Sequence, residues 1–261
     1  MAILVAVLAF RFLDGEAFAL MLTEPLPGIA IAFEIEALGM LFALVAGLLW
    51  IVTSIYAIGY MRGHNEQNQT RFFAAFAVSI AATMGIAFSA NLFTLFVFYE
   101  LLTLATYPLV THAGTPEAKR GGRVYLSILL GTSIGFFLLG ILVTWSLTGR
   151  IDFQQGGILS GHIDPAWAGL LYALFLFGIG KAAVMPFHRW LPAAMVAPTP
   201  VSALLHAVAV VKAGVFTLLK VTVYIFGDEF ILSNDVTGGL IWIAAATILI
   251  ASLIAMTKDN L

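Results

Sequence analysis

Long apolar runs separated by short polar connections constrain this chain more than any other feature of its sequence. Seven runs, at residues 37–59, 72–89, 92–112, 124–147, 167–185, 200–226 and 236–256, reach or approach the ~20 residues a helix needs to cross a hydrocarbon core of roughly 30 Å. Residues 2–13 form an eighth run, too short to span alone, which reads as the tail of a helix. The runs are apolar on every face and lack the alternation of a β-barrel strand. Backbone groups in hydrocarbon must be satisfied within their own segment, so helices are predicted. The expected fold class is all-α, a polytopic transmembrane helix bundle. Composition agrees, because 61% of the 261 residues are apolar and 10% charged. A soluble domain would carry about a quarter charged residues. No basic stretch precedes the apolar start and Arg11 follows it, so no cleavable signal peptide is expected.

The connections, near 63–69, 113–122, 149–165 and 227–234, leave no room for a soluble domain. Alternating them across the membrane puts Arg62, Arg71, Lys119, Arg120, Arg123, Arg189 and Lys258 on one side, with Glu66, Glu117 and Asp259. The other side receives Asp14, Glu16, Glu24, Glu34, Glu36, Asp152, Asp164, Asp228, Glu229 and Asp235, and one clear base, Arg150. The basic side is expected to be cytoplasmic. Internal glycines such as Gly131 and Gly135 suit close helix packing, and Tyr56, Tyr60, Trp167 and Trp242 suit interfacial belts.

Several chemistries are excluded. Cysteine is absent, which rules out disulfides, thiolate metal sites and cysteine-held iron–sulfur clusters. His64, His112, His162 and His188 show no metal-ligand spacing, and no metal or other cofactor is expected. Gly178-Ile-Gly180-Lys181 superficially suggests a phosphate loop, but Phe175 and Ala182 break that pattern. The glycosylation sequon Asn68-Gln69-Thr70 falls on the expected cytoplasmic side. No nucleophile triad, nucleotide fingerprint or basic stripe for nucleic acid is present.

Subtracting the loop charges leaves Glu100, Lys181, Lys212 and Lys220 within helices, with His206 beside them. A charge at mid-bilayer costs roughly 2.5–3.5 kcal/mol on insertion scales, against about 0.3–0.6 returned by each Leu or Phe. Such residues face protein or water, and a translocation site for protons or cations is the default reading. Lys181 follows Gly180 and precedes Pro186, Pro192, Pro198 and Pro200. Those prolines cannot continue a regular helix, so one broken helix is expected between Lys181 and Pro200. Unwound backbone at membrane depth is tolerated only beside a cavity or inside protein. His206 and Lys212 share the next helix. Their spacing subtends roughly 240° net and about 9 Å along a regular axis, which sends them to different faces. Blander readings stand beside these: a structural ion pair for Glu100, a helix-to-helix hydrogen bond for His206, and for Lys220 a snorkelling reading, which its place near the helix end favours.

Two segments go beyond generic transporter character. The run from Phe96 through Tyr99-Glu100-Leu-Leu-Thr-Leu-Ala-Thr-Tyr-Pro-Leu-Val-Thr-His112 to Ala118 resembles the D-type component of Mrp-type multisubunit monovalent cation/proton antiporters. The run Gly180-Lys181-Ala-Ala-Val-Met-Pro186-Phe-His-Arg-Trp-Leu-Pro192, continuing to Ser202-Ala-Leu-Leu-His206, is similar to the signature those antiporter components share with the antiporter-like subunits of respiratory complex I. The resemblance implies that Glu100 and Lys181 form the paired charge of a proton half-channel, with His206 and Lys212 on a central hydrophilic axis; Lys220 stands beside these four as a candidate proton-translocation residue on the residue reading alone. It implies a subunit of a cation/proton antiporter of Na+/H+ type, not itself an enzyme, in the cell's inner (plasma) membrane. A complex I or membrane-hydrogenase type pump, and a non-transporting fragment, are the alternatives. The implied partners are other antiporter subunits, a polypeptide supplying a second half, lipid, protons and a monovalent cation. One transmembrane domain over 1–261 is expected: flanking helices over 1–60, a five-helix unit over about 71–226 and a further helix over 236–257. Ala193 departs from the acid that often follows Trp-Leu-Pro. The chain is also short at both ends against the family's fourteen-helix pattern.

Overall fold

The computed structural model describes residues 1–257. Lys258 and Asp259, counted above with the basic side, lie outside the described residues. The chain is an all-α polytopic bundle, as its apolar runs require. Helix α1 (Ala2–Leu13) lies along α2 (Ala37–Gly63), and α3 (Gln69–Ala87) packs along α4 (Leu92–Val110). Then come α5 (Pro116–Thr132) and α6 (Leu138–Thr148), joined through a π-helical turn at Ser133–Phe137 into one continuous rod. Helix α7 (Pro165–Gly178) follows. Short pieces succeed it, including α8 (Trp190–Ala193) and α9 (Thr199–Ala203). Helix α10 (Val210–Val221), the short α11 (Asp228–Ser233) and α12 (Gly238–Ala255) complete the order.

Local chemistry sets several of these boundaries. The Asn91 side chain accepts the Thr94 amide at 2.8 Å and opens α4. Thr115 caps α5 and Asp164 caps α7. Each cap is followed by a proline at the first helical position, where no amide partner is needed. Gly149, at φ +70°, closes α6 in the left-handed region that glycine enters freely.

Three expectations need correction. Six helices among the described residues, not seven, are long and apolar enough to cross a membrane. The run at 167–185 is helical only to Gly178, because hydropathy does not register where the backbone leaves the helix. The connection at 113–122 is helical from Pro116 onward, which puts Lys119 and Arg120 on the first turns of α5. The segment before α2, read as loop, forms an antiparallel hairpin of β1 (Ala19–Leu26) and β2 (Ile29–Glu34). Its turn contains Pro27 and Gly28, the latter at φ +79°, the chemistry a tight turn of that kind requires.

The hairpin does more than connect. Glu34 donates its amide to the Phe88 carbonyl at 2.8 Å, and the Ala90 amide reaches the Ala32 carbonyl at 3.0 Å. Phe153 then donates to Ala90 at 3.1 Å, Gln154 to Tyr224 at 3.3 Å, and Ile158 to Ile225 at 2.9 Å. Backbone bonds therefore tie the ends of α2, α3, α4, α6 and α10 together on the acidic side. On the opposite side Arg71 donates to the His112 carbonyl at 3.5 Å, and His112 lies 3.7 Å from Glu66. Gly121 packs against the backbone of Ala193, which brings Arg120 and Arg123 toward Arg189. The two groups of loops thus gather as their charges were sorted.

Candidate charge axis

Lys181 is fully buried. Helix α7 ends at Gly178, and Gly180–Ala182 form a single 3-10 turn, as the glycines and following prolines predict. The Lys181 amide donates to the Tyr99 hydroxyl at 3.0 Å, and the Trp190 indole donates to the Gly180 carbonyl at 2.9 Å. Its ammonium donates to the Tyr99 carbonyl at 2.8 Å and to the Thr103 hydroxyl, against the Tyr99 ring. Pro186 precedes a second 3-10 turn at Phe187–Arg189, Pro192 sits within α8, Pro198 precedes α9 and Pro200 lies in its first turn. The broken helix therefore stands where it was expected, and it wraps the lysine in protein.

Glu100 follows Tyr99 on α4, and both of its carboxylate oxygens are buried without a hydrogen-bond partner. The ion pairs within 4 Å among the described residues are Arg11–Glu16, His112–Glu66 and Lys220–Glu36. Glu100 and Lys181 are neighbours across the α4 surface without direct contact of that kind, because the lysine's donors are taken up one residue before and three after the glutamate.

His206 is partly buried and lies in a π-helical turn, Leu204–Val208. The wider turn is followed by an irregular residue, Ala209, so the regular-helix angle between His206 and Lys212 does not apply. Lys212 is exposed on α10, so this chain alone does not enclose it. π-turns occur often at functional sites, and those at Leu204–Val208 and Thr222–Phe226 bracket the α10 lysines.

Lys220 overturns the snorkelling reading. It is fully buried; its ammonium lies 2.7 Å from Glu36 and donates to the Ser89 carbonyl at 2.6 Å, 4.4 Å from the Phe153 ring centre. Glu36, counted as a loop acid above, is the residue that sequence reasoning missed. Topology carried the signal: Glu36 precedes α2 and Lys220 ends α10 on the same, acidic side.

Comparison with known proteins shows the family and the fold. The family described as "NADH:quinone oxidoreductase/Mrp antiporter, TM" matches residues 89–261, and "NADH-Ubiquinone oxidoreductase (complex I), chain 5 N-terminus" matches residues 27–73. A probable K(+)/H(+) antiporter component of the A/B type, from Rhizobium meliloti (strain 1021), is 31% identical over 77% of this chain and 20% of its own length. The chloroplastic NAD(P)H-quinone oxidoreductase subunit 5 of Chlorokybus atmophyticus is 32% identical over 88% of this chain and 36% of its own. Among solved structures, the Mrp complex from Dietzia sp. DQ12-45-1b superposes with a TM-score of 0.73 at 25% identity, covering 84% of this chain and 24% of that one. The membrane-bound sulfane sulfur reductase, an archaeal respiratory membrane complex, shares the fold with a TM-score of 0.69 at 24% identity, over 83% of this chain and 45% of that one. The chain spans 20% to 36% of the length of these two curated relatives.

Proposed function

The chain belongs to the NADH:quinone oxidoreductase/Mrp antiporter transmembrane family, and from that premise we infer that it is a membrane subunit of a multisubunit monovalent cation/proton antiporter. The observation that carries the reading is a fully buried lysine in a broken helix beside a glutamate whose buried oxygens have no partner. Burying charge at this depth costs several kcal/mol unless it is paired or used. In this reading the five rods α3, α4, α5–α6, α7 and α9–α10 form the unit over about 71–226. Glu100 and Lys181 are its protonation switch. Protonation of Glu100 cancels the negative charge that Lys181 faces, and charge added at Lys212 or Lys181 redistributes along the axis through His206. The exposure of Lys212 suits a further polypeptide covering α10. The partners are other antiporter subunits, and the site of action is the cell's inner (plasma) membrane.

The test is Glu100→Gln in the assembled complex in everted vesicles. Loss of cation-dependent proton exchange with assembly intact is expected; exchange at the unaltered rate would sink the switch. A second reading, a proton-pumping subunit of a quinone-linked or related redox complex, is favoured by the subunit 5 relative. Redox subunits co-purifying with the chain in mild detergent would select it.

A further inference from the structure

The acidic face holds a second buried charge pair that the switch above does not use. A cavity of about 240 Å³ lies beside the hairpin, lined by Glu34, Glu36, Ser89, Phe153, Gln155 and Tyr224 among others. Its wall is mixed: carboxylates, an amide and a phenol beside one aromatic ring. A cavity needs only about 10–15 Å³ of free space and a few polar partners to hold one water, so this one has room for several. At its floor stands Glu36, and against Glu36, sealed from solvent, lies the Lys220 ammonium.

A purely structural pair does not require a polar cavity leading to it. Nor would α10 gain from a lysine drawn inward to a backbone carbonyl, when its place near the helix end would allow snorkelling. One turn deeper on α10, Thr217 is fully buried with its hydroxyl unpartnered, so polar groups continue inward from Lys220. We propose that this cavity is a proton inlet on the acidic face, in which Glu36 is the accepting carboxylate and Lys220 the gate behind it. The step balances simply. A hydronium in the cavity gives its proton to a Glu36 oxygen and leaves as water. The pair changes from neutral to net positive, and Lys220 loses the charge that held it. Glu34, exposed at the rim, and the Tyr224 hydroxyl are the other titratable groups lining the cavity.

The proposal deepens the antiporter reading and rests on it for the proton's destination, so the test includes readouts that do not need transport. Because the chain has no cysteine, Ala90→Cys places a single thiol in the cavity wall. In the assembled complex, a charged, impermeant methanethiosulfonate should modify it from the acidic face and not from the basic face. An infrared carboxyl band that titrates with pH and vanishes in Glu36→Gln is also expected. A thiol unreactive from the acidic face, or a spectrum unchanged in Glu36→Gln, overturns the inlet whether or not the complex exchanges cations. Absence of exchange in the unaltered complex would instead count against the functional reading alone. In a complex that exchanges, the neutral pair Glu36→Gln with Lys220→Met should assemble and lose exchange, while Glu36→Asp should retain it. Full exchange by the neutral pair would show a structural pair and end the proposal.

Discussion

The Lys181 ammonium is held by a carbonyl and a hydroxyl, both from α4. Removing the hydroxyl in Thr103→Val leaves a buried donor short of one partner. That should lower stability by about 1–3 kcal/mol, read as a lower melting temperature of the purified protein in detergent, with exchange more impaired than assembly. His112 offers a pH-dependent counterpart at the basic face. Burial, the larger influence, holds its imidazole below its ordinary value of 6.5, and nearby Glu66 only partly opposes this. The unfolded chain therefore takes up the proton first as pH falls below 6.5. Stability from this residue is present above that value and is lost as pH falls toward the folded value. Melting temperature should fall between neutral and mildly acid pH, and His112→Gln should flatten that slope. Sequence alone singled out Glu100 and Lys181, because a charge amid apolar helix has no bland neighbour to hide among. Glu36 escaped because it stands two residues after Glu34 in what reads as an acidic loop, and its partner is distant in sequence.

At the level of elements, the broken helix was readable from its glycines and prolines, and its position depends on a close approach. Gly214 of α10 lies directly against the backbone of Lys181 and Ala182, with no room for a β-carbon. Gly214→Val should push α10 off the turn that presents Lys181. The expected result is a marked loss of folded protein in membranes, while Gly131→Ala should be tolerated, because Gly131 and Gly135 face open space and not the close helix contact their spacing suggested. The hairpin was not legible, because β1 and β2 carry too little apolar alternation to stand out beside the spans. What specifies them is mostly their partners: Asn91 and Thr94 of α4 bond the Ala30 carbonyl, and Thr94 also accepts the Ala32 amide. These are contacts between segments that periodicity cannot see. The 167–185 run misled for the opposite reason, since its residues are apolar enough for a span they do not form.

Across the molecule, the sorting of charges by side was recoverable from loop order, and the structure gathers those loops accordingly. Helix α12 stands apart: none of its residues is buried, and among the described residues its hydrogen bond to the rest is Thr247 accepting the Met185 amide at 3.2 Å. Its removal after residue 237 should therefore leave the melting temperature of the isolated chain nearly unchanged and weaken recovery of the assembled complex, measured by co-purification. The bonded layer on the acidic face has the contrary character. Hairpin, α3–α4 turn, post-α6 segment and the end of α10 are laced into one plate by main-chain bonds that substitutions other than to proline leave in place. Helices bonded main chain to main chain at one end, and held by side-chain contacts at the other, are stiffest where the plate binds them, so a tilt of any of them is smallest at the acidic face.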